Sequence, residues 1–405
     1  MLPLEKAIKI ILKNVKAMGN EIVPIKSSLG RVLGENIFAK ENIPSFDRSA
    51  MDGYAVKYTD TESATNHHPV ILEVLESIAA GYSAKSSITY GKAIRIMTGA
   101  PMPRGADSVV MLEDTEIIKR GGKEFVKILR SSNKLENVSF AGEDVRKGEF
   151  ILHRGKYLRP ADVGMLATLG LKKVNVVKKP KAAIISTGDE VVETSRKRLK
   201  KGQIRDSNSY ALYSLVLACG GEPERIGIAR DRREDLIKLL KVSEDSDMVL
   251  LSGGVSVGSY DIVKDVLISS FGVHPLFWKV AIRPGKPIFC GIKNGRLFFG
   301  LPGYPVSSMV TFELFIRPTI KAMLGRLDEE ENISAILDKN IVRKDRRNFL
   351  RGLLTFRGGR YHVVPVSIQK SSALKSMVIA NSLIDVPIGK GIINKGEMVR
   401  VRRII

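Results

Sequence analysis

Between about residues 180 and 326, short apolar segments alternate with segments of helical pattern, and this alternation constrains the fold more than any other feature. KAAIIST, EPERIGIA and DMVLLSGG read as strands, and SNSYALYSLVLACGG, RREDLIKLLKVSED and YDIVKDVLISSFG read as the helices that follow them. HPLFWKVAI predicts another strand, PIFCG and RLFFGL a hairpin, and VSSMVTFELFIRPTIKAMLG a long helix. Because strands that alternate with helices form mostly parallel sheets covered on both faces, we expect a doubly wound α/β domain.

The flanking regions have a different pattern. Residues 22–135 alternate apolar and polar residues between frequent Gly, Pro and Asn breaks, as in HPVILEVLESIAAG, which predicts short strands and turns. From about residue 327, segments such as NISAILDKNI, RGLLTF and YHVVPVSIQ predict a small C-terminal β domain. A chain of 405 residues is also too long for one compact core.

The first segment predicts an amphipathic surface helix. Apolar residues stand at helical spacing, with lysines between them and Gly19 as a stop; they are Leu4, Ile8, Ile11, Val15 and Met18. No small-residue cleavage site follows, so a targeting peptide is disfavoured. No run approaches the roughly 18 apolar residues that a membrane span needs. We therefore expect a cytoplasmic protein with no membrane partner.

The net charge of +22 admits three interpretations. A densely charged surface is typical of thermophiles, a positive field steers small anionic substrates, and basic patches bind nucleic acid. Zinc-finger spacing, aromatic RNA-binding motifs and a continuous basic helix are missing from the sequence, so nucleic acid is an unlikely partner. Cys219 and Cys290 lie in apolar segments and read as small buried hydrophobes.

Polar residues follow each strand of the predicted sheet, where ligands bind in open α/β folds. Gly188 and Glu190 follow the first strand and Asp231 the second. SGGVSVGSYD follows the third strand, and PGYPVSS, with Pro302 and Pro305, follows the hairpin. The segment KVAIRPGKP supplies three cations: Lys279, Arg283 and Lys286. We expect these loops to share one rim that carries glycines, acids and cations.

The segment SGGVSVGSYD has the composition of a phosphate-binding loop. Glycines let the backbone approach a ligand, and N–H groups at a helix start attract phosphate; the candidates are Ser252, Gly253, Gly254, Ser256 and Gly258. A tight strand-to-helix turn would need the same glycines. The segment also matches the G-x-S-x-G elbow of hydrolases, but only His274 and His362 follow it, and an HGGG-like segment is missing from the sequence, so a hydrolase is disfavoured.

Two carboxylates near this loop outline a magnesium site. Mg²⁺ prefers one or two carboxylates together with substrate phosphate, and Glu190 and Asp261 stand at the ends of neighbouring strands or their loops. Asp261 could instead offset the dipole of the next helix. Asp231, with Glu234 three residues later, also fits a helix-capping pattern.

Taken together, these motifs resemble those of the molybdopterin molybdotransferases, the MoeA and gephyrin E-domain family. The match rests on PSFDRSAMDGYAV, IMTGAPMPRGADSVV, STGDEVV, RDSNSYAL, LLSGGVSVGSYD, VAIRPGKP, LPGYPVSSMVTFELF and SSALKSMVIANSLIDVP, which stand in the family's order. The resemblance implies an elongated homodimer of four domains. They are a discontinuous domain of residues 1–44 and 143–178, an inserted β-rich domain at 45–142, the α/β molybdopterin-binding domain at 179–326, and a C-terminal β-barrel at 327–405.

The resemblance also implies a reaction. The family inserts molybdate, or tungstate in some organisms, into adenylylated molybdopterin with a divalent cation, expected to be Mg²⁺, and releases AMP. Asp52 and Thr98, which lie in segments that read alone only as polar turns, carry over as catalytic residues with Glu190 and Asp261. Further residues carry over more loosely: Asp144, Asp231, Arg351, Ser371 and Ser372. A molybdopterin adenylyltransferase is the expected pathway partner.

One segment departs from the family pattern. The family has arginines before its GED turn, whereas this chain reads NVSFAGEDV, with Ser139, Phe140 and Ala141. If those arginines contact the anionic substrate in the family, the departure implies that this protein has lost a contact or uses a different metal oxyanion. Two alternative functions remain open on the sequence alone: a molybdopterin adenylyltransferase, which shares the α/β domain, and a scaffold or regulator of cofactor synthesis.

Overall fold

The computed structural model describes residues 1–254, 262–326 and 332–404. Three of the proposed site residues, Ser256, Gly258 and Asp261, lie outside the described residues. The chain divides into two compact units: one comprises Met1–Glu35, Arg154–Gly164 and Leu171–Ile405, and the other comprises Asn36–His153 and Met165–Gly170. The four-domain division and its boundaries stay a prediction.

The helices are short and lie mostly in the first unit. In chain order they are α1 (Leu4–Asn14), α2 (Pro160–Thr168), α3 (Asn208–Ala218), α4 (Arg233–Val242), α5 (Ile262–Asp265), α6 (Pro305–Thr311), α7 (Arg317–Met323) and α8 (Lys375–Ile379). A π-helical turn, Val266–Ser270, extends α5, and another, Phe312–Ile316, joins α6 to α7. No helix of the described residues is long and apolar enough to cross a membrane.

The strands follow in chain order. As far as Leu152 they are β1 (Asn20–Pro24), β2 (Ile37–Phe38), β3 (Arg48–Ser49), β4 (Gly53–Val56), β5 (Val70–Ile78), β6 (Lys92–Ile96), β7 (Ser108–Met111), β8 (Thr115–Arg120), β9 (Lys123–Ile128), β10 (Val138–Ser139) and β11 (Phe150–Leu152). From Lys173 to Leu301 they are β12 (Lys173–Val177), β13 (Lys181–Thr187), β14 (Val191–Val192), β15 (Ile204–Arg205), β16 (Glu222–Ala229), β17 (Met248–Ser252), β18 (His274–Trp278), β19 (Ile282–Arg283), β20 (Phe289–Lys293) and β21 (Arg296–Leu301). The last are β22 (Asn332–Leu337), β23 (Ile341–Val342), β24 (Arg347–Arg357), β25 (Arg360–Pro365), β26 (Ser382–Val386), β27 (Ile392–Ile393) and β28 (Met398–Arg403).

A six-stranded sheet in the order β16-β13-β17-β21-β20-β18 forms the centre of the first unit. β16, β13, β17 and β21 are parallel, whereas β20 runs antiparallel to both of its neighbours. The carboxyl ends of the four parallel strands and of β18 therefore lie at one edge of the sheet. This arrangement confirms the predicted α/β fold and the hairpin of β20 and β21.

The two faces of this sheet bury separate cores, which explains its continuous apolar runs. Ile184 and Leu250 pack with apolar residues of α3 and α6 on one face. Their chain neighbours Ile185 and Leu251 pack with residues of α4 and α5 on the other. Because successive strand residues point to opposite faces, both cores are needed to bury a segment such as KAAIIST. Cys219 and Cys290 are buried, as predicted.

The C-terminal strands close into a barrel. Its order is β24-β25-β22-β28-β26, and a further pairing of β24 with β26 completes the ring. The second unit holds its own six-stranded sheet, in the order β7-β4-β6-β5-β9-β8. The predicted fold class, α/β with additional β structure and a terminal barrel, is confirmed.

Two boundaries differ from the sequence prediction. The first helix ends at Asn14, because Val15 is extended with φ of −72° and ψ of 129°, so Val15 and Met18 are not helical and Gly19 is not its stop. The strand predicted over HPLFWKVAI ends at Trp278. Ile282 and Arg283 instead form β19, which pairs with β24 of the barrel. In both cases apolar periodicity continued past the point where the backbone turns.

Candidate functional site

The carboxyl-end edge of the sheet in the first unit gathers most of the predicted site residues. Gly188 follows β13, Asp231 follows β16, Gly253 follows β17 and Pro302 follows β21. The Gly253 N–H donates to the Leu301 carbonyl at 3.0 Å, which ties two of these loops together. We call this edge the strand-end rim.

Two glycines at the end of β17 adopt backbone that other residues avoid. Gly253 has φ of 100° and Gly254 φ of 63°. A Cβ on Gly253 would lie 2.5 Å from the Thr187 carbonyl oxygen, and one on Gly254 would lie 2.5 Å from a methyl carbon of Val263. The close approach of β13 and α5 therefore requires glycine at both positions. This turn requirement does not exclude phosphate binding, because the same conformation turns N–H groups outward in anion-binding loops.

Glu190 provides an exposed carboxylate at this rim. The turn after β13 folds it back, so that a Cβ on Gly188 would lie 2.6 Å from the Glu190 Oε2 atom. The main chain is fixed by a hydrogen bond from the Ile204 N–H to the Glu190 carbonyl at 2.9 Å. Groups of three or more His, Cys, Asp or Glu residues able to hold a metal do not occur within the described ranges. One carboxylate beside a loop that suits phosphate nevertheless fits Mg²⁺, which takes few protein ligands when it binds with a phosphorylated substrate.

Asp231 does not cap a helix. Helix α4 begins at Arg233, its N-cap residue is Arg232, and its cap makes no side-chain hydrogen bond. The Asp231 N–H instead donates to the Asp189 Oδ1 at 3.2 Å, joining the loops after β16 and β13. The capping interpretation is wrong, and the exposed Asp231 carboxylate lies at the rim.

Asn208, which was not among the predicted site residues, connects two rim loops. Its Nδ2 donates to the Ser252 Oγ at 2.8 Å and to the Gly303 carbonyl at 2.8 Å. Its helix start is in turn held by Asp206, whose buried carboxylate accepts from the Ser186 hydroxyl at 2.9 Å and the Ser209 hydroxyl at 2.6 Å. The available signal was the D-S-N triplet at the start of α3, where polar side chains bond loops rather than solvent.

The three candidate cations take different positions. Lys279 follows β18 directly, and its N–H donates to the Ile288 carbonyl at 3.0 Å. The Lys286 carbonyl accepts from the Val280 N–H at 3.1 Å, so Lys279 and Lys286 lie on the two arms of one loop. Arg283 is exposed and lies on β19, which pairs with the barrel rather than with the sheet.

The loop that carries Ser371 reaches the rim through its backbone. The Val306 N–H, in the first turn of α6, donates to the Ser371 carbonyl at 3.1 Å. Pro305 begins that helix, and Pro302 lies three residues before it. Ser372 is exposed beside Ser371. The structure thus brings Pro302, Pro305, Ser371 and Ser372 into one neighbourhood.

Arg351, on barrel strand β24, is a buried cation of the same neighbourhood. Its side chain is 1% exposed, and its guanidinium donates to the Ser376 Oγ at 3.2 Å and to the Lys370 carbonyl at 3.4 Å. Within the described ranges it has no carboxylate partner. Burial lowers the pKa of Arg351 to about 10, because a low-dielectric surrounding disfavours the charged form. A buried cation without a counter-ion suits an anionic ligand.

We expect Arg351→Met to raise the melting temperature at pH 7, because it removes an uncompensated buried charge. We also expect it to lower the rate of catalysis about tenfold, because the charged hydrogen-bond donors are lost. The folded-state pKa is depressed to about 10, below the ordinary value of a guanidinium. The native state therefore releases its proton first, so the penalty on wild-type stability is fully present below about pH 10 and fades as the pH rises above it. Thermal unfolding followed by circular dichroism at about pH 7 and about pH 10.5 measures both effects.

Arg347→Met is the matched control. Its guanidinium makes a two-point ion pair with Asp385, at 2.6 Å and 2.5 Å. Removing it leaves a buried carboxylate without its partner, so we expect the melting temperature to fall. A fall of the same size for Arg351→Met at pH 7 would show that the Arg351 charge is compensated in the folded protein.

The second unit contains a separate polar pair. Asp52 stands at the start of β4 and Thr98 just past the end of β6, and these strands are antiparallel neighbours. The Asp52 Oδ1 accepts from the Thr98 N–H at 2.7 Å and from the Thr98 hydroxyl at 2.8 Å. These two bonds lower the pKa of Asp52 below its usual range and keep it ionised. Asp144, also in this unit, is exposed, and its N–H donates to the Ile43 carbonyl at 3.1 Å.

Three family models cover most of the chain. "MoeA N-terminal region (domain I and II)" matches residues 2–170, "Probable molybdopterin binding domain" matches residues 183–322, and "MoeA C-terminal region (domain IV)" matches residues 335–403. The strand-end rim thus lies in the segments matched by the second and third models.

Relatives match at similar coverage. The molybdopterin molybdenumtransferase of Bacillus subtilis is 35% identical over 99% of this chain and 93% of its own length. Molybdopterin molybdenumtransferase 2 of Mycobacterium tuberculosis is 36% identical over 94% of each chain. The crystal structure of the molybdopterin biosynthesis moeA protein from Pyrococcus horikoshii OT3 superposes with a TM-score of 0.83 at 34% identity, covering 100% of both chains. This chain therefore belongs to the molybdopterin molybdenumtransferase (MoeA) family.

Proposed function

We propose that this protein inserts molybdenum, delivered as molybdate, into molybdopterin that carries an adenylyl group, and that AMP leaves in the same reaction. The observation that carries the proposal is the strand-end rim, where a glycine loop, an exposed carboxylate and lysines lie beside a buried guanidinium. In the proposed reaction, the two dithiolene thiols of molybdopterin form two Mo–S bonds, and one oxide of molybdate leaves as water with the two thiol protons. A water molecule cleaves the P–O–P anhydride, so AMP leaves and the metal-loaded molybdopterin keeps its own phosphate. Molybdate, adenylylated molybdopterin and AMP are all anionic, and a protein with a net charge of +22 attracts anions.

The glycine loop is proposed to hold the phosphates. The Gly254 main-chain N–H is proposed to donate to a phosphoryl oxygen without moving during the reaction, because the Gly253 N–H fixes the loop to the Leu301 carbonyl and Ser252 fixes it to Asn208. Lys279 and Lys286 add positive charge from the neighbouring loop. Preorganised donors of this kind stabilise the charge that develops as an anhydride bond breaks.

The molybdate oxyanion is proposed to bind near Ser371 and Arg351. The Arg351 guanidinium is already desolvated, so an oxyanion that meets it gains a strong charge-assisted interaction. Tungstate has the same charge and tetrahedral shape, and we propose that it is a second possible cargo. Pro302 and Pro305 limit the freedom of the loop between β21 and α6, which forms the border of this part of the rim.

Glu190 is proposed to hold Mg²⁺, together with Asp261, which lies outside the described residues. A bound Mg²⁺ would supply positive charge at the phosphoryl oxygens. The exposed Asp231 could orient water near the same edge. Asp52, Thr98 and Asp144 are proposed as functional residues of the second unit, where the Thr98 bonds keep Asp52 ionised and fixed in direction. We further propose a homodimer that receives substrate from a molybdopterin adenylyltransferase.

The test is an assay with purified protein, adenylylated molybdopterin, Mg²⁺ and either molybdate or tungstate. We expect AMP to appear only when an oxyanion is present, with the metal recovered on the pterin product. AMP formed without oxyanion would show simple hydrolysis. Adenylylation of molybdopterin by ATP, without metal transfer, would replace the proposal with an adenylyltransferase.

A further inference from the structure

Trp278, the chain's one tryptophan, ends strand β18 at the strand-end rim. The ammonium of the next residue, Lys279, lies over its indole ring at 3.6 Å from the ring centroid. A second ammonium, that of Lys264 from helix α5, lies 4.0 Å from the same centroid. Tryptophan offers the most favourable ring face for a cation. The indole of Trp278 therefore contacts two ammonium groups, those of Lys279 and Lys264.

The backbone at Lys279 is built to place its side chain there. Lys279 has φ of 69°, a left-handed conformation that non-glycine residues seldom adopt. The conformation is maintained from both sides, because the Lys279 N–H donates to the Ile288 carbonyl at 3.0 Å and its carbonyl accepts from the Leu2 N–H at 3.3 Å. Such backbone persists only where neighbouring structure enforces it, and it is concentrated at functional sites. With this backbone, the Lys279 ammonium lies over the ring of the preceding residue.

We infer that Trp278 is a positioning residue, which holds the Lys279 ammonium ready for an oxyanion of the substrate. This inference rests on the proposed function, in which Lys279 binds phosphate or metal oxyanion. A free lysine side chain loses rotamer entropy when it is fixed. An ammonium already restrained on an indole face loses less when the anion binds, and the cation–π contact can be retained while the remaining donors turn to the ligand.

The same arrangement makes Trp278 a reporter. Indole fluorescence responds to a charge held near the ring. Because Trp278 is the one tryptophan of the chain, the emission reports on this position alone. We expect titration with inorganic pyrophosphate, and separately with molybdate, to change the emission of the wild-type protein. The change should be lost in Lys279→Met. It should persist in Lys293→Met, whose ammonium lies 4.2 Å from the Phe271 ring centroid at the opposite edge of the sheet.

A double-mutant cycle separates positioning from a structural role. Trp278→Leu should raise KM for adenylylated molybdopterin about three- to tenfold and leave kcat within about twofold, as expected for loss of a cation–π contact. Trp278→Phe, which keeps an aromatic face, should recover most of the loss. In Lys279→Met, adding Trp278→Leu should have little further effect, because the tryptophan acts through the lysine.

Three results would overturn the inference: fully additive losses in the double mutant, calorimetric binding of pyrophosphate with unchanged indole emission, or an unchanged KM in Trp278→Leu. The outcomes that overturn the positioning role of Trp278 differ from those that overturn the proposed function. If emission and calorimetry respond as expected while no metal is transferred, the positioning role stands and the reaction does not. If transfer proceeds in Trp278→Leu with KM unchanged, the reaction stands and the positioning role does not.

Discussion

Gly253→Ala is expected to unfold the protein at lower temperature and to reduce metal transfer by about 10²-fold or more, because a shift of about 1 Å at a catalytic loop has effects of that size. The new Cβ would lie 2.5 Å from the Thr187 carbonyl oxygen, on the neighbouring parallel strand, and φ of 100° is itself unfavourable for alanine. Neither strand can give way, since both are buried on two faces. We expect a loss of about 2–4 kcal/mol in the free energy of unfolding.

Gly303→Ala is the matched control for stability. Gly303 lies in the adjacent loop, and a Cβ there would meet only the Cα of Gly253, at 3.5 Å, an ordinary van der Waals distance. Its carbonyl, which accepts from Asn208, is unchanged by the substitution. Urea unfolding of both variants measures the difference, and we expect Gly303→Ala to stay within about 0.5 kcal/mol of wild type. Equal stability of the two variants would show that the loop after β17 adjusts more readily than its packing indicates.

The sheet could be predicted from the sequence because each of its strands is a short, nearly continuous apolar run. DMVLLSGG has four consecutive apolar residues, Met248 to Leu251, which burial on both faces of the sheet explains, and β17 is buried throughout its length. The same reasoning failed at the N-terminal helix, where Val15 and Met18 continued the apolar spacing. There the extended backbone at Val15 ends the helix, and the Met18 N–H donates to the Met323 carbonyl at 2.9 Å. A hydrogen bond between segments so far apart in sequence cannot be predicted from the local spacing of apolar residues.

The site could be predicted only where the order of strands along the chain determines which loops lie at the same edge of the sheet. Loops after parallel strands must meet, so the rim followed from strand assignment alone. By contrast, Asp52 and Thr98 are 46 residues apart and read separately as turns, and only the family resemblance selected them. Asn208 and Trp278 were missed because their roles depend on contacts: an amide that reaches two loops, and an indole beneath a lysine that follows it. Local composition does not encode either contact.

Glu190→Gln is expected to have the largest effect on chemistry with the smallest effect on folding. The carboxylate is exposed, and the bond that fixes its loop uses the main-chain carbonyl, so the isosteric amide should leave the melting temperature within about 1 °C of wild type. If the carboxylate holds Mg²⁺ at the phosphoryl oxygens, its loss removes several kcal/mol of charge stabilisation. That corresponds to a decrease of about 10²- to 10³-fold in the rate of AMP release at fixed Mg²⁺.

Glu193→Gln provides the comparison for this substitution. Glu193 is an exposed carboxylate three residues further along, but it pairs with Arg225 at 3.2 Å. An exposed pair of this kind contributes little to stability, and its loss should change the rate of AMP release less than about twofold. Calorimetric titration with MgCl₂ in the presence of AMP gives a second, rate-independent measurement: the Mg²⁺ affinity should fall at least about tenfold in Glu190→Gln and stay constant in Glu193→Gln. If both variants bind Mg²⁺ as the wild type does and only Glu190→Gln loses activity, the carboxylate acts on the substrate directly, and the magnesium assignment is wrong.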